Sequence, residues 1–147
     1  MDVCEKRACP LVFMFDLHGV LDRMPEVLRP MLGTLKSCGH KVIICSGPAL
    51  PAIERELASL GYVPGVHHDL VLSVVDHLKE GGAQFRYDER GNPWTDDLLW
   101  DRAKGELAAR EGVNIVVDDT PRYEAWMPRG VAVWLWSPPY CMLRPGE

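Results

Sequence analysis

The sequence lacks a long hydrophobic run. Its apolar stretches are only a handful of residues long, whereas a membrane-spanning helix needs about 20. The first residues of the chain are rich in charge and contain no apolar segment of the signal-peptide type. These features predict a soluble protein with no membrane partner, and we expect it in the cytoplasm.

An excess of basic residues is also missing. The 147 residues include 16 Lys and Arg against 21 Asp and Glu, which gives a net charge of −5. Proteins that bind nucleic acid through its phosphates carry clustered positive charge. The basic residues are instead spread along the chain among acidic ones, so the sequence indicates no nucleic-acid partner.

Paired cysteines are missing too. The five cysteines, at positions 4, 9, 38, 45 and 141, form an odd set without a C-x-x-C motif. Cys45 lies within an apolar run, where a buried thiol is the usual explanation. The cysteine pattern therefore favours reduced thiols and an intracellular protein.

Short apolar runs alternate with segments of helical periodicity along the chain. The predicted strands are 11–15, 41–45, 70–74, 113–119 and 131–136, and the predicted helices are 30–38, 50–60, 75–79 and 95–110. Pro30 suits the first position of its helix. Continuous apolar runs are typical of strands covered on both faces. We therefore predict a three-layer, Rossmann-like α/β fold with a mostly parallel central sheet and helices on both faces.

One segment departs from this alternation. Residues 83–95 mix aromatic and charged residues around a Gly-Asn-Pro sequence, which predicts a small hairpin or flap. No linker or internal repeat is present. We expect a single domain over residues 1–147, with a core at about 11–136 and no large cap domain.

Polar side chains follow three of the predicted strands. Asp16 comes after the first strand, Ser46 after the second, and Asp118 and Asp119 end the fourth. Open α/β sheets hold their ligands at the carboxyl ends of their strands. Any one of these residues could simply form a turn or cap a helix. Three such strand ends together predict a functional site.

These residues resemble the motifs of the haloacid dehalogenase superfamily. The letters DLHGVL, which start at Asp16, are similar to its first motif, D-x-D-G-[TV]-L, and Ser46 resembles the second motif. Lys104 suits the third motif, with Lys79 as a competitor, and Asp118–Asp119 suits the acidic fourth. The motifs occur in the family's order across about residues 11–136. The short stretch between Asp16 and Ser46 leaves no room for a helical cap.

The resemblance implies a Mg²⁺-dependent phosphohydrolase that cleaves a phosphate monoester through an aspartyl-phosphate on Asp16. The implied Mg²⁺ ligands are Asp16, the backbone carbonyl of His18, Asp118 and Asp119. Ser46, Gly47 and Lys104 would bind the phosphoryl group. The substrate could be a small metabolite, a nucleotide or a macromolecular phosphate, and the protein could be a homo-oligomer.

Position 18 departs from the family pattern, because His18 stands where the second aspartate is usual. Imidazole can donate and accept a proton near neutral pH, so His18 can be the general acid–base. Alternatively, the site has lost its second half-reaction. The protein would then be an impaired binding or interaction module that retains a metal or phosphate pocket.

Two further features carry weaker hypotheses. His67, His68, Asp69 and His77 are residue types that bind transition metals, although histidines in surface turns are the simpler interpretation. Trp94 lies in the predicted flap and is a candidate for stacking on a substrate.

Overall fold

Strands and helices alternate along the chain in the computed structural model, which describes residues 9–136. In chain order the elements are β1 (Val12–Phe15), a π-type turn (Leu17–Leu21), α1 (Pro25–Ser37), β2 (Lys41–Ser46), α2 (Leu50–Ser59), β3 (Leu70–Ser73), α3 (Val74–Glu80), β4 (Arg86–Tyr87), β5 (Pro93–Trp94), α4 (Asp97–Glu111), β6 (Ile115–Asp118), a 3₁₀ turn (Pro121–Trp126) and β7 (Ala132–Leu135). Cys4, Cys141 and the two ends of the expected domain lie outside the described residues.

The central sheet has five strands in the order β3-β2-β1-β6-β7, and all of its pairings are parallel. The chain passes from β1 outward through β2 to β3, and then returns to the opposite side of β1 as β6. The strand order therefore reverses between β1 and β6. In open α/β sheets, such a reversal leaves a crevice at the carboxyl ends of the two strands, where ligands bind.

Two apolar clusters cover the two faces of the sheet. On one face, Phe15 and Ile44 pack in a buried cluster with residues of α1 and α2. On the other face, Met14 and Ile43 pack with residues of α3 and α4. The alternation follows from the strand geometry, because successive side chains point to opposite sides. These contacts confirm the predicted α/β class with helices flanking a parallel sheet.

The start of α1 differs from the prediction. The helix begins at Pro25, and Pro30 lies inside it. Leu28 and Leu32 are both buried, so the apolar stripe begins a turn earlier than expected. Pro30 has no N–H to offer the carbonyl of Glu26, but both residues are exposed and water can satisfy that carbonyl.

The connection between β3 and β6 contains α3, a small hairpin and α4. β4 and β5 form a small antiparallel hairpin within the segment predicted as a flap. Asp96 caps α4, because its Oδ1 accepts hydrogen bonds from the amides of Leu98 and Leu99. Within residues 9–136, none of the helices has the length and apolar composition that crossing a bilayer requires.

Candidate active site

Three carboxylates meet at the crevice between β1 and β6. Asp16 directly follows β1, Asp118 ends β6, and Asp119 comes next. One oxygen atom from each of them lies within 4.8 Å of the others. Asp16 and Asp118 are buried, whereas Asp119 is exposed. Oxygen ligands clustered in this way suit a hard divalent cation such as Mg²⁺.

The buried side chain of Lys104, on α4, bridges two of these acids. Its Nζ donates a hydrogen bond to Asp118 Oδ2 at 2.6 Å and lies 3.0 Å from Asp16 Oδ1. The competing lysine, Lys79, is exposed and lies against the rings of Phe85 and Tyr87. The lysine at the acidic cluster is therefore Lys104.

The electrostatics of this cluster are set by burial and by the bridging lysine. Burial raises the pKa of Asp16 to about 6, although Lys104 works in the opposite direction and Asp118 adds to the rise. Burial also disfavours the charged form of Lys104, but the carboxylates of Asp16 and Asp118 outweigh it and hold the lysine pKa above its usual value. Lys104 is therefore a permanent positive charge beside the carboxylates.

A tight turn after β1 presents Asp16 to the crevice. Oδ1 of Asp16 accepts a hydrogen bond of 2.9 Å from the amide of Leu17. Gly19 has a φ of +88°, and its amide donates to Asp22 Oδ1 at 2.8 Å. A Cβ atom at position 19 would lie 1.9 Å from Asp119 Oδ2. Glycine is thus required both for the turn and for the close approach of Asp119.

His18 lies between two polar side chains. Its Nδ1 is 3.2 Å from the hydroxyl of Ser46, the buried last residue of β2. Its Nε2 is 2.7 Å from Glu56 Oε2, on α2. The imidazole therefore has a hydrogen-bond partner at each nitrogen.

A cavity of ≈ 660 Å³ opens above these groups. The predicted site residues that line it are Asp16, His18, Ser46, Gly47, Lys104 and Asp119. Asp118 is 1% exposed and contacts Lys104 from within the fold. Tyr87 and Asn92 of the hairpin segment and Trp100 of α4 form other walls of the cavity. The structure thus brings all the predicted site residues together at one edge of the sheet.

The histidines proposed as transition-metal ligands do not gather. His77 pairs with Glu106, and His67 accepts a hydrogen bond from the amide of Val63. His68 is buried, and burial lowers its pKa. Within residues 9–136, the acidic cluster is the only group of at least three candidate metal ligands.

Two residues of the site, Trp100 and Glu56, were not anticipated from the sequence, and one candidate lies outside the cavity. Trp94, the stacking candidate, is 58% exposed and is not among the residues that line the cavity. Trp100 lines it instead, one helical turn before Lys104, a spacing that places both on one face of α4. That spacing could have indicated Trp100. The contact of Glu56 with His18 had no such signal, because the two residues are 38 positions apart.

No protein-family model matches the chain, and no curated protein matches its sequence. What the site can do chemically is therefore inferred from its own side chains. A carboxylate beside a buried ammonium and two further carboxylates can bind a cation. In the same place a hydroxyl and an imidazole can donate hydrogen bonds to an anion.

Proposed function

We propose that this chain is a Mg²⁺-dependent phosphohydrolase of the haloacid dehalogenase type, which cleaves a phosphate monoester through an aspartyl-phosphate on Asp16. The observation that carries the proposal is the position of buried Lys104, which contacts both Asp16 and Asp118 at the crevice. A carboxylate nucleophile needs positive charge nearby before it can approach a phosphate dianion.

The residues at the crevice fit a Mg²⁺ ion. The three carboxylates supply only oxygen donors, and the missing Cβ at Gly19 leaves room for Asp119 Oδ2. Asp16, Asp118, Asp119 and the backbone carbonyl of His18 would hold the ion. When bound, it would offset the negative charge of the substrate and polarise the phosphoryl group.

The contacts of Asp16 favour one oxygen as the attacking atom. Oδ1 already accepts a hydrogen bond from the Leu17 amide and faces the ammonium of Lys104, so Oδ2 is available to attack phosphorus. The Oδ2–P bond forms as the bond from phosphorus to the leaving oxygen breaks. Water then attacks phosphorus, which releases inorganic phosphate and restores the Asp16 carboxylate.

The groups around Asp16 would hold the phosphoryl oxygens. The Ser46 hydroxyl and Lys104 line the cavity beside Asp16, and Gly47 follows Ser46 in the chain. A Cβ atom at Gly47 would come within 3.0 Å of the Trp100 ring, so glycine keeps this wall close to the site. Donors fixed by the fold in this way stabilise charge that develops during phosphoryl transfer.

His18 would give its proton to the leaving oxygen and then accept one from the attacking water. General acid–base help of this kind contributes about 10²- to 10⁴-fold in rate. The imidazole lines the cavity beside Ser46, and this position supports the assignment. Aryl phosphates depend least on it, because their leaving groups need little protonation.

The size of the cavity indicates how large a substrate the site can hold. Its ≈ 660 Å³ lies in the range of ordinary small-molecule sites, about 300–1,000 Å³, and exceeds what a phosphate alone fills. The hairpin forms one wall rather than a closed lid. We propose that the organic part of the substrate, whether a metabolite, a nucleotide or part of a macromolecule, contacts the hairpin and Trp100.

Turnover of an aryl phosphate by the parent and by Asp16→Asn, with Mg²⁺ and with a chelator, tests the proposal. We expect the parent to be active only with Mg²⁺ and the variant to be inactive. Activity in Asp16→Asn equal to that of the parent would contradict the proposal. No turnover by the parent, with Mg²⁺ binding intact, would instead support the impaired binding module.

A further inference from the structure

We propose that Glu56 is a positioning residue that holds His18 for proton transfer at Nδ1. The inference rests on the proposed function, because it concerns the proton donor of that reaction. The imidazole of His18 has two contacts, 2.7 Å from Nε2 to Oε2 of Glu56 and 3.2 Å from Nδ1 to the hydroxyl of Ser46.

The contact with Glu56 determines which nitrogen of His18 carries a hydrogen. An ionised carboxylate can only accept hydrogen bonds, so Nε2 carries the hydrogen and donates it to Glu56. Nδ1 is then the nitrogen whose hydrogen changes during the reaction. Ser46, its partner, lines the cavity, so Nδ1 lies on the side where the substrate binds.

Glu56 also restricts the orientation of the ring. His18 has non-helical backbone angles within the turn after β1, and its side chain is 46% exposed. An imidazole with so much exposure could rotate away from Ser46 if it were held at one nitrogen only. The second hydrogen bond, from a residue on α2, opposes that rotation and keeps Nδ1 at the cavity.

The hydrogen bond to Glu56 is compatible with both stages of the same step, because Nε2 keeps its hydrogen throughout. When the imidazole is the proton donor, its positive charge lies beside the carboxylate of Glu56. When Nδ1 gives its proton to the leaving oxygen, the ring becomes neutral, and Nδ1 can then accept a proton from water. A carboxylate that accepts a hydrogen bond from one imidazole nitrogen, and so orients the ring for proton transfer at the other, is the arrangement found in hydrolase triads.

Because the His18–Glu56 pair is partly exposed, a positioning role for Glu56 can be distinguished from a structural one. Glu56 is 36% exposed, and ion pairs at such positions contribute about 0–1 kcal/mol to stability. Replacement of Glu56 should therefore leave the folded protein and its Mg²⁺ site intact. The effect should appear in the rate of the step that needs a proton.

The test uses the full chain with Mg²⁺ and compares Glu56→Gln with Glu54→Gln, a matched change at an exposed residue of the same helix. We expect Glu56→Gln to lower kcat for an alkyl phosphate about 10-fold, a part of the range for general acid catalysis, with little change in KM. The aryl phosphate rate should change little, and Glu54→Gln should match the parent on both substrates.

A double-mutant cycle shows whether Glu56 acts through His18. In a His18→Ala background, Glu56→Gln should cause no further loss, and Mg²⁺ should raise the melting temperature of Glu56→Gln as much as that of the parent. An unchanged alkyl phosphate rate, an equal loss in the His18→Ala background, or a lost Mg²⁺ response would overturn the proposal. The proposed function fails if Asp16→Asn is as active as the parent, and none of these three results implies that outcome. Failure of the positioning role can therefore be distinguished from failure of the proposed function.

Discussion

The ammonium of Lys104 lies 3.0 Å from Oδ1 of Asp16, and both residues are more than nine-tenths buried. Burial alone would favour the neutral form of each group. The pairing keeps the lysine charged and offsets part of the negative charge on Asp16. The same contact joins α4 to the end of β1, and in the proposed reaction it would prepare the carboxylate for a phosphate group.

Replacement of Lys104 by methionine should cost much of the stability. The change leaves Asp16 and Asp118 buried without their shared partner, and breaking a buried ion pair in this way costs about 3–5 kcal/mol. Urea unfolding of the metal-free protein measures the loss. Lys79→Met is the control, because Lys79 is exposed, and we expect it to cost less than about 1 kcal/mol. Equal losses in the two variants would contradict the role given to Lys104.

Millimolar Mg²⁺ should raise the melting temperature of the parent by several degrees. A ligand that binds only the folded state adds about 2.7 kcal/mol when its concentration is 100 times its Kd. Asp119→Asn should remove most of the shift, because this exposed carboxylate belongs to the acidic cluster. Asp97→Asn, at another exposed acid, should retain it. Identical Mg²⁺ shifts in both variants would exclude Asp119 as a ligand.

Two glycine substitutions should separate backbone strain from a clash at the site. Gly19 and Gly39 have φ of +88° and +87°, but a Cβ atom at Gly39 meets nothing within 4 Å. Gly39→Ala should cost only the strain, about 1–2 kcal/mol. Gly19→Ala should cost more and should abolish the Mg²⁺ shift, because the new methyl group displaces Asp119. Thermal unfolding with and without Mg²⁺ measures the stability cost and the Mg²⁺ shift of each variant. Equal costs and equal shifts in the two variants would contradict the close approach of Asp119 to Gly19.

Acid should weaken a contact far from the site, at Asp69. Partial burial opposes ionisation of this carboxyl, but hydrogen bonds from the Lys36 ammonium and the Val42 amide outweigh it and lower the pKa. The resulting stability is present above about pH 4 and is lost as pH falls through the lower folded-state pKa.

Asp69→Asn should therefore be less stable than the parent near neutral pH, by about 1 kcal/mol, with the difference shrinking in acid. Urea unfolding at a series of pH values measures it. A difference that stays constant down to about pH 2 would mean that ionisation of Asp69 adds nothing to stability.

Much of the fold could be predicted because four of the five strands of the central sheet, β1, β2, β3 and β6, are short apolar runs that end at or just before a polar residue. The alternation of strands and helices already favoured a parallel sheet. The neighbouring positions of Asp16 and Asp118 follow from the order of its strands, in which β1 lies beside β6. The start of α1 could not be predicted correctly. Pro25 and Pro30 both suit a first helical turn. The helix begins at Pro25, because Leu28 is then helical and is buried against the rest of the fold.

The remaining parts of the site depend on how helices are rotated against the sheet. Lys104 and Lys79 were both candidates, and the packing of α4 brings Lys104 to the acids. The contact between Glu56 and His18 depends in the same way on the orientation of α2 above the end of β1. Local periodicity shows which face of a helix is apolar but not which polar side chain reaches a site.

The most direct test of the central claim is chemical trapping of the phosphorylated residue. The Mg²⁺-loaded protein is mixed with an aryl phosphate, quenched in acid and treated with borohydride, which reduces an aspartyl-phosphate to homoserine. Peptide mass spectrometry then locates the change. Our account predicts homoserine at position 16 in the parent and none in Asp16→Asn. Turnover by the parent with no homoserine at position 16, or with modification at another residue such as Ser46, would contradict it.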